Sequence, residues 1–261
     1  MNQMTKYFIN QVESPFWAFA LHDGHQLADE LLPYMLLSDA ERLREEDPFT
    51  AAFAELPINQ FIVGTSRFQL DINRDLENAI YLAPAQAWGL KVWNKLPEAR
   101  IAILQKEYAS VYQEIDSLIK HTIEQHGYFF VFDIHSYNSK REGPHELIDK
   151  QANPQINLGT AYVQPKWREL VSTFMTCWQQ ETMDGEPIDI RENVKFKGGY
   201  LNRYLNSTYG ESGCVVSIEF RKDFMDEWTG APDPSKITAN KQLLLNSLKV
   251  LTNYFDNDRK E

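Results

Sequence analysis

Apolar positions along this chain follow two rhythms. FWAFAL at 16–21, FFVF within 128–134 and GCVVSIEF at 213–220 are dense runs too short for helices, and they read as strands buried on both faces. QFIVGTSRFQLDINRD carries one or two more, around 60–63 and 67–72. Elsewhere the spacing is that of one helical face. Residues 97–126 are the clearest case, with Ile103, Ser110, Ile115, Leu118 and Ile119 interleaved with Leu104, Tyr108, Val111 and Tyr112 on a broad apolar stripe that His126-Gly127 closes. KWRELVSTFMTCWQQE and ANKQLLLNSLKVLTNYF repeat the pattern. In SDAERLREEDPFTAAFAEL, Ser38 followed by Glu41 has capping-box spacing and Pro48 interrupts the run. That predicts a helix, a break, and a second helix starting near Asp47 or Pro48. Strands alternating with helices predict an α/β layered fold, as a single domain over 1–261.

Composition adds mainly exclusions. Hydrophobic residues at 43% and charged residues at 24% are ordinary for a soluble globular chain. The net charge of −11, from 37 acidic against 26 basic residues, argues against a nucleic-acid footprint and against anionic membranes. Cys177 and Cys214 are too few for a disulfide framework and read as reduced thiols. The N-terminus lacks the pattern of a signal peptide, and no apolar run is long enough to span a bilayer, so a cytoplasmic protein is expected.

Two of the buried strands end in histidine, His22 in ALHDGH and His135 in DIHSYN. The carboxyl ends of strands are where α/β sheets bind ligands. Two neutral imidazoles and one carboxylate make a three-ligand zinc site with a fourth position open to water or substrate. EEDPFT offers Asp47 or Glu46 as the carboxylate. His25 could be a ligand on the same loop as His22 or, with Asp23, fix the His22 tautomer. The plainer alternative is a hydrogen-bonded loop histidine in each case, and no HExxH argues otherwise. His121, His126 and His145 read as solvent or capping residues.

Arg67 and Arg74 in SRFQLDINRD, with Asn73 between them, present guanidinium forks suited to carboxylates, unless Arg67 is simply paired with Asp71 or Asp75. Glu219 lies inside a buried β-branched run, where a carboxylate is costly unless it is paired or functional. Beside a metal it would suit a general base; the alternative is an ion pair with Arg221 or Lys222. Gly198-Gly199, flanked by Lys197 and Arg203, permits close backbone approach to a ligand or marks a plain hairpin turn.

Taken in order, LHDGH, EEDPFT, SRFQLDINRD, DIHSYN, INLGT, FKGGYLNRY and SIEF resemble the N-formylglutamate amidohydrolase family over nearly the whole chain. That family is itself similar to the zinc carboxypeptidases, which implies a mixed central sheet flanked by helices. The resemblance implies one zinc ion, or another divalent metal, on His22, Asp47 and His135, with Glu46 and His25 in reserve. It makes Glu219 the general base, and Arg67 the group that polarises the scissile carbonyl or shares a carboxylate clamp with Asn73 and Arg74. Lys197, Gly199, Arg203 and Tyr137 would complete the substrate pocket. The implied reaction is hydrolysis of a small anionic N-acyl amino acid such as N-formylglutamate. His22-Asp23-Gly24 stands where the family tends to read His-Ser-Gly, so the substrate is the less determined part. A metallo-carboxypeptidase or deacylase acting on a peptide or modified side chain is the nearest rival. A non-catalytic ligand-binding protein, in which His22, Asp47 and His135 need not converge, is the rival of a different class.

Overall fold

The dense apolar runs become the centre of a seven-stranded mixed sheet in a computed structural model, which describes residues 3–258. In chain order the elements are β1 (Tyr7–Asn10), β2 (Phe16–Ala20), α1 (Asp39–Glu45), α2 (Thr50–Ala54), β3 (Asn59–Val63), α3 (Glu98–His126), β4 (Phe129–Tyr137) and β5 (Ile156–Gly159). Then come α4 (Arg168–Gln179), the small hairpin β6 (Thr182–Met183) and β7 (Glu186–Pro187), β8 (Ile190–Glu192), α5 (Tyr200–Tyr209), β9 (Gly213–Arg221) and α6 (Pro234–Asp258). The sheet order is β1-β3-β2-β4-β9-β5-β8, with β3, β2, β4 and β9 mutually parallel. β1 and β5 run antiparallel to their neighbours β3 and β9.

Alternation along each strand divides the core in two. Trp17, Phe19, Phe129, Val131 and Val215 pack with α3 and α5 on one face. Phe16, Ala18, Phe130, Phe132 and Val216 pack with α4 and α6 on the other. From β2 the chain moves to β3 on one side and returns with β4 on the other. The crevice between the carboxyl ends of β2 and β4 is therefore a topological switch point, where such sheets bind ligands.

Four local expectations are corrected. Residues 67–72 form turns, not a strand, although Phe68, Leu70 and Ile72 are all buried. An irregular loop with an apolar residue at every second position imitates strand periodicity, although Gln69 and Asp71 between them are buried as well. The second helix begins at Thr50, because Phe49 just before it takes a left-handed conformation with φ 71°. β4 does not stop before His135 but continues to Tyr137, paired with β9 as far as Tyr137↔Arg221. Gly198-Gly199 is no hairpin: Gly199 is the N-cap of α5. The other long helices and the Ser38 capping box lie where the pattern put them. Both cysteines are free thiols. Among the described residues, no helix is long and apolar enough to cross a membrane.

Candidate metal centre

His135 and Glu219 occupy adjacent, in-register positions on parallel β4 and β9, and His22 lies just past the end of β2. Asp47 arrives from the turn after α1, tied by its own backbone N–H to the His22 carbonyl at 2.9 Å. The result is three buried side chains, His22, Asp47 and His135, whose donor atoms all lie within 4.8 Å of one another. The Nδ1 atoms of His22 and His135 face the same Asp47 oxygen, Oδ2, at 3.3 and 3.1 Å. Ligands about 2.0–2.1 Å from a tetrahedral ion are themselves about 3.3 Å apart, so this spacing fits a zinc-sized cation.

The opposite edges of both rings are held by buried carboxylates. His22 Nε2 donates to Asp71 Oδ1 at 2.8 Å, and His135 Nε2 donates to Asp133 Oδ1 at 2.9 Å. An ionised carboxylate only accepts, so each Nε2 carries a proton and each Nδ1 is the nitrogen left for a metal. Asp133 is braced in turn by Ser217 Oγ at 2.6 Å, and Asp71 by Arg67 Nη2 at 2.8 Å and by the Tyr81 hydroxyl. Burial alone would raise the Asp47 carboxyl, yet the bonds from His135 and His22 hold it well below its ordinary range. Asp71 is likewise lowered against its own burial, chiefly by His22 and Arg67. For His135, burial works to lower the pKa, but Asp133 and then Asp47 raise it well above the usual imidazole value. The site thus holds positive charge strongly, which suits a cation.

Glu219 is 9% exposed and opens onto the same cleft. Its sequence-level alternatives are absent, since Arg221 pairs with Asp223 at 2.6 Å and Lys222 binds backbone carbonyls. Burial pushes its carboxyl up to about 8, opposed by the charge of His135 and reinforced by Asp47 and Asp133. That is the environment of a group able to exchange protons near neutral pH.

The cleft has a volume of about 440 Å³ and takes in Arg67, Asn73, Arg74, Tyr137, Lys197, Gly199 and Arg203. Arg67 does pair with Asp71, as the plainer reading had it, while still facing the cleft under the Trp88 ring at 4.9 Å. Asn73 Oδ1 accepts from Leu201 N–H at 3.0 Å and its carbonyl from Tyr200 N–H at 3.2 Å, so Asn73 caps α5. Its Nδ2 stands 3.2 Å from His135 Nε2. A Cβ at Gly199 would lie 2.3 Å from Asn73 Nδ2, so a larger residue there would push aside the amide that caps α5. The Tyr137 hydroxyl turns away to the Pro154 carbonyl, leaving only its ring to the cleft.

The two reserve ligands are engaged elsewhere. His25 Nδ1 meets Glu46 Oε2 at 2.5 Å, and Glu46 Oε1 accepts from Ser66, so neither joins the His22–Asp47–His135 group. Asp23 accepts from Ala51 N–H at 2.9 Å; the partner of His22 is Asp71. Asp71 was visible in sequence only as a partner for Arg67. Lys195 and Arg141 also line the cleft and carried no sequence signal, since lone basic residues in loops look alike.

A family model for N-formylglutamate amidohydrolase matches residues 14–225. No curated protein sequence matches the chain. Among solved structures, an N-formylglutamate amidohydrolase from Ralstonia eutropha JMP134 is 16% identical with a TM-score of 0.67, covering 94% of this chain and 97% of that one. A gene product of Agrobacterium tumefaciens is 14% identical with a TM-score of 0.66, covering 95% of each chain. Both are similar to this chain in fold. A putative carboxypeptidase from Burkholderia mallei ATCC 23344 follows at 13% identity and a TM-score of 0.40, over 95% of this chain and 60% of that one, too weak a likeness to carry an argument.

Proposed function

This chain belongs to the N-formylglutamate amidohydrolase family, and from that premise we propose that it is a zinc-dependent hydrolase of a small anionic N-acyl amino acid, N-formylglutamate or a close relative. The observation that carries this reading is the convergence of His22, Asp47 and His135 in one cleft with the carboxyl of Glu219, which has no ion-pair partner among the described residues. Two nitrogens and one carboxylate oxygen, with a fourth position open, are the donor set of a catalytic zinc site. A bound ion supplies Lewis acidity toward the amide carbonyl and lowers the pKa of water.

The chain's own residues carry the remaining steps. Glu219 takes a proton from the attacking water and delivers it to the departing nitrogen, a role its raised pKa supports. Arg67 stabilises charge developing on the carbonyl oxygen, a contribution of about 3–4 kcal/mol for a well-placed donor. Asp71 and Asp133 keep the two imidazoles from rotating during the reaction. Arg74, Lys197 and Arg203 orient substrate carboxylates, and the free hydrogen of the Asn73 amide adds a neutral donor. The concentration of cations around this cleft, in a chain of net charge −11, supports an anionic substrate.

Elemental analysis of the purified protein is expected to find one zinc per chain, and a panel of N-formyl and other N-acyl amino acids to include a substrate. His135→Ala is expected to lose both metal and turnover. Full metal content and activity in that variant would overturn the assignment, and cleavage of peptides but no N-acyl amino acid would replace the substrate class.

A further inference from the structure

Lys222 follows β9, is 3% exposed, and has no part in the chemistry above. Its ammonium donates to the carbonyls of Arg44 and Glu46, each at 2.7 Å. The Arg44 carbonyl accepts a second bond, from Asn138 Nδ2 at 2.7 Å, and the Glu45 carbonyl accepts one from Arg67 Nη1 at 3.3 Å. The last carbonyls of a helix have no partners within it, and they form the negative end of its dipole. Here three consecutive carbonyls at the end of α1 are gripped by side chains from outside the helix.

The segment so gripped ends at Asp47. Immediately beyond it, Phe49 holds φ 71°, a conformation that a bulky residue keeps only where its surroundings impose it. The Asp47 backbone is pinned on the other side by the His22 carbonyl and by Thr50 Oγ1, which donates to the Asp47 carbonyl at 2.7 Å. A lysine is costly to bury, and this one makes no ion pair among the described residues. An apolar side chain would fill the volume but would leave the buried Glu46 carbonyl without this donor and the Arg44 carbonyl held by Asn138 alone.

We propose that Lys222 is the positioning residue of Asp47. It clamps the strained turn after α1 so that Asp47 Oδ2 meets both histidines, and it thereby sets the metal affinity of the site. The proposal rests on the metal-centre reading of His22, Asp47 and His135.

Lys222→Met keeps most of the stem and removes the donors. Zinc affinity by chelator competition is expected to fall about 10–100-fold, as when the groups supporting a metal ligand are lost. In the metal-free protein, amide exchange over 46–50 is expected to speed up while β4 and β9 keep wild-type protection. Lys222→Arg, which still offers donors, is expected to recover most of the affinity. Wild-type affinity with unchanged exchange over 46–50 in Lys222→Met overturns the proposal. So does faster exchange across the whole sheet with equal loss in both variants, which would mark general support of the fold. If Lys222→Met does not fold, Lys222→Gln keeps a polar head but is too short to reach both carbonyls; affinity about 2–10-fold lower supports the proposal and an unchanged value overturns it. If the wild-type chain binds no zinc, the metal reading itself fails, and the exchange result over 46–50 alone decides whether Lys222 holds Asp47.

Discussion

Replacing Glu219 by Gln tests the site without any assumption about substrate. The side chain keeps its shape, but its ionisation is removed. In the metal-free protein burial raises the Glu219 carboxyl from 4.5 to about 8. A folded-state pKa above the unfolded one means that the native state binds more protons between those values, so stability is full below the unfolded pKa and falls as pH rises through the folded one. Between pH 5 and pH 8 the wild-type chain should lose about 3 kcal/mol that Glu219→Gln does not lose, because each pKa unit is worth about 1.4 kcal/mol. In a chain of this size that corresponds to a relative shift of about 6–12 °C in melting temperature. Thermal melts of both proteins with chelator present, at pH 5 and pH 8, measure it directly. Parallel melting temperatures across that range would refute the claim that burial holds this carboxyl in its neutral form. With zinc restored, the variant should retain metal and lose about 10²–10⁴-fold in kcat, the usual contribution of a general base. Together the two results describe a carboxylate that is unfavourable for the fold and retained for the reaction.

Two further expectations follow from the same geometry. Asp133→Asn removes the charge that holds His135 Nε2, and zinc affinity by chelator competition should fall about 10–100-fold; affinity within twofold of wild type would mean that Asp133 does not orient the ring. Arg203→Ala should lower kcat/KM for an anionic substrate about 10–100-fold, mainly through KM, since a charge-assisted hydrogen bond lost from binding leaves the chemical step in place. A fall in kcat with KM unchanged would place Arg203 in the reaction instead.

Much of the fold was legible because buried parallel strands and one-sided helices leave opposite periodicities in the sequence. Where reading failed, two causes gave the same pattern. Phe68, Leu70 and Ile72 alternate as a strand does, yet a loop bonded through Ser66 and Asp71 buries them equally well. His135 seemed to terminate a strand because polar residues normally do, whereas β4 continues through it, paired to β9. The His22–Asp47–His135 group was legible for a different reason: His22 and His135 follow dense apolar runs, EEDPFT offered Asp47 or Glu46 as the carboxylate, and the family resemblance favoured Asp47. Asp71 was not legible as the support of His22. Pairing across 49 residues depends on how the loop after β3 folds back, and no local spacing encodes that. The same holds for Lys222, whose partners lie 176 and 178 residues away.

Charge accounts for why these residues belong together. Around the two imidazoles stand four buried carboxylates, Asp47, Asp71, Asp133 and Glu219, while Arg67 is paired with only one of them, Asp71. Such a group is short of positive charge, and burying it is unfavourable unless something supplies that charge. Without metal, the molecule answers in two ways: Glu219 stays protonated near neutral pH, and His135 holds a proton between Asp133 and Asp47. A divalent cation at the three donors would displace the proton on His135 and pull Glu219 toward its ionised form, because it adds charge where the carboxylates face one another. On the proposed reading, an ion held there would therefore turn Glu219 from an acid suited to the fold into a base suited to hydrolysis. Among the described residues, the outer cations Arg74, Lys197 and Arg203 lie in the same cleft without a carboxylate partner as close as that of Arg67, which would leave them available for the charge a substrate brings.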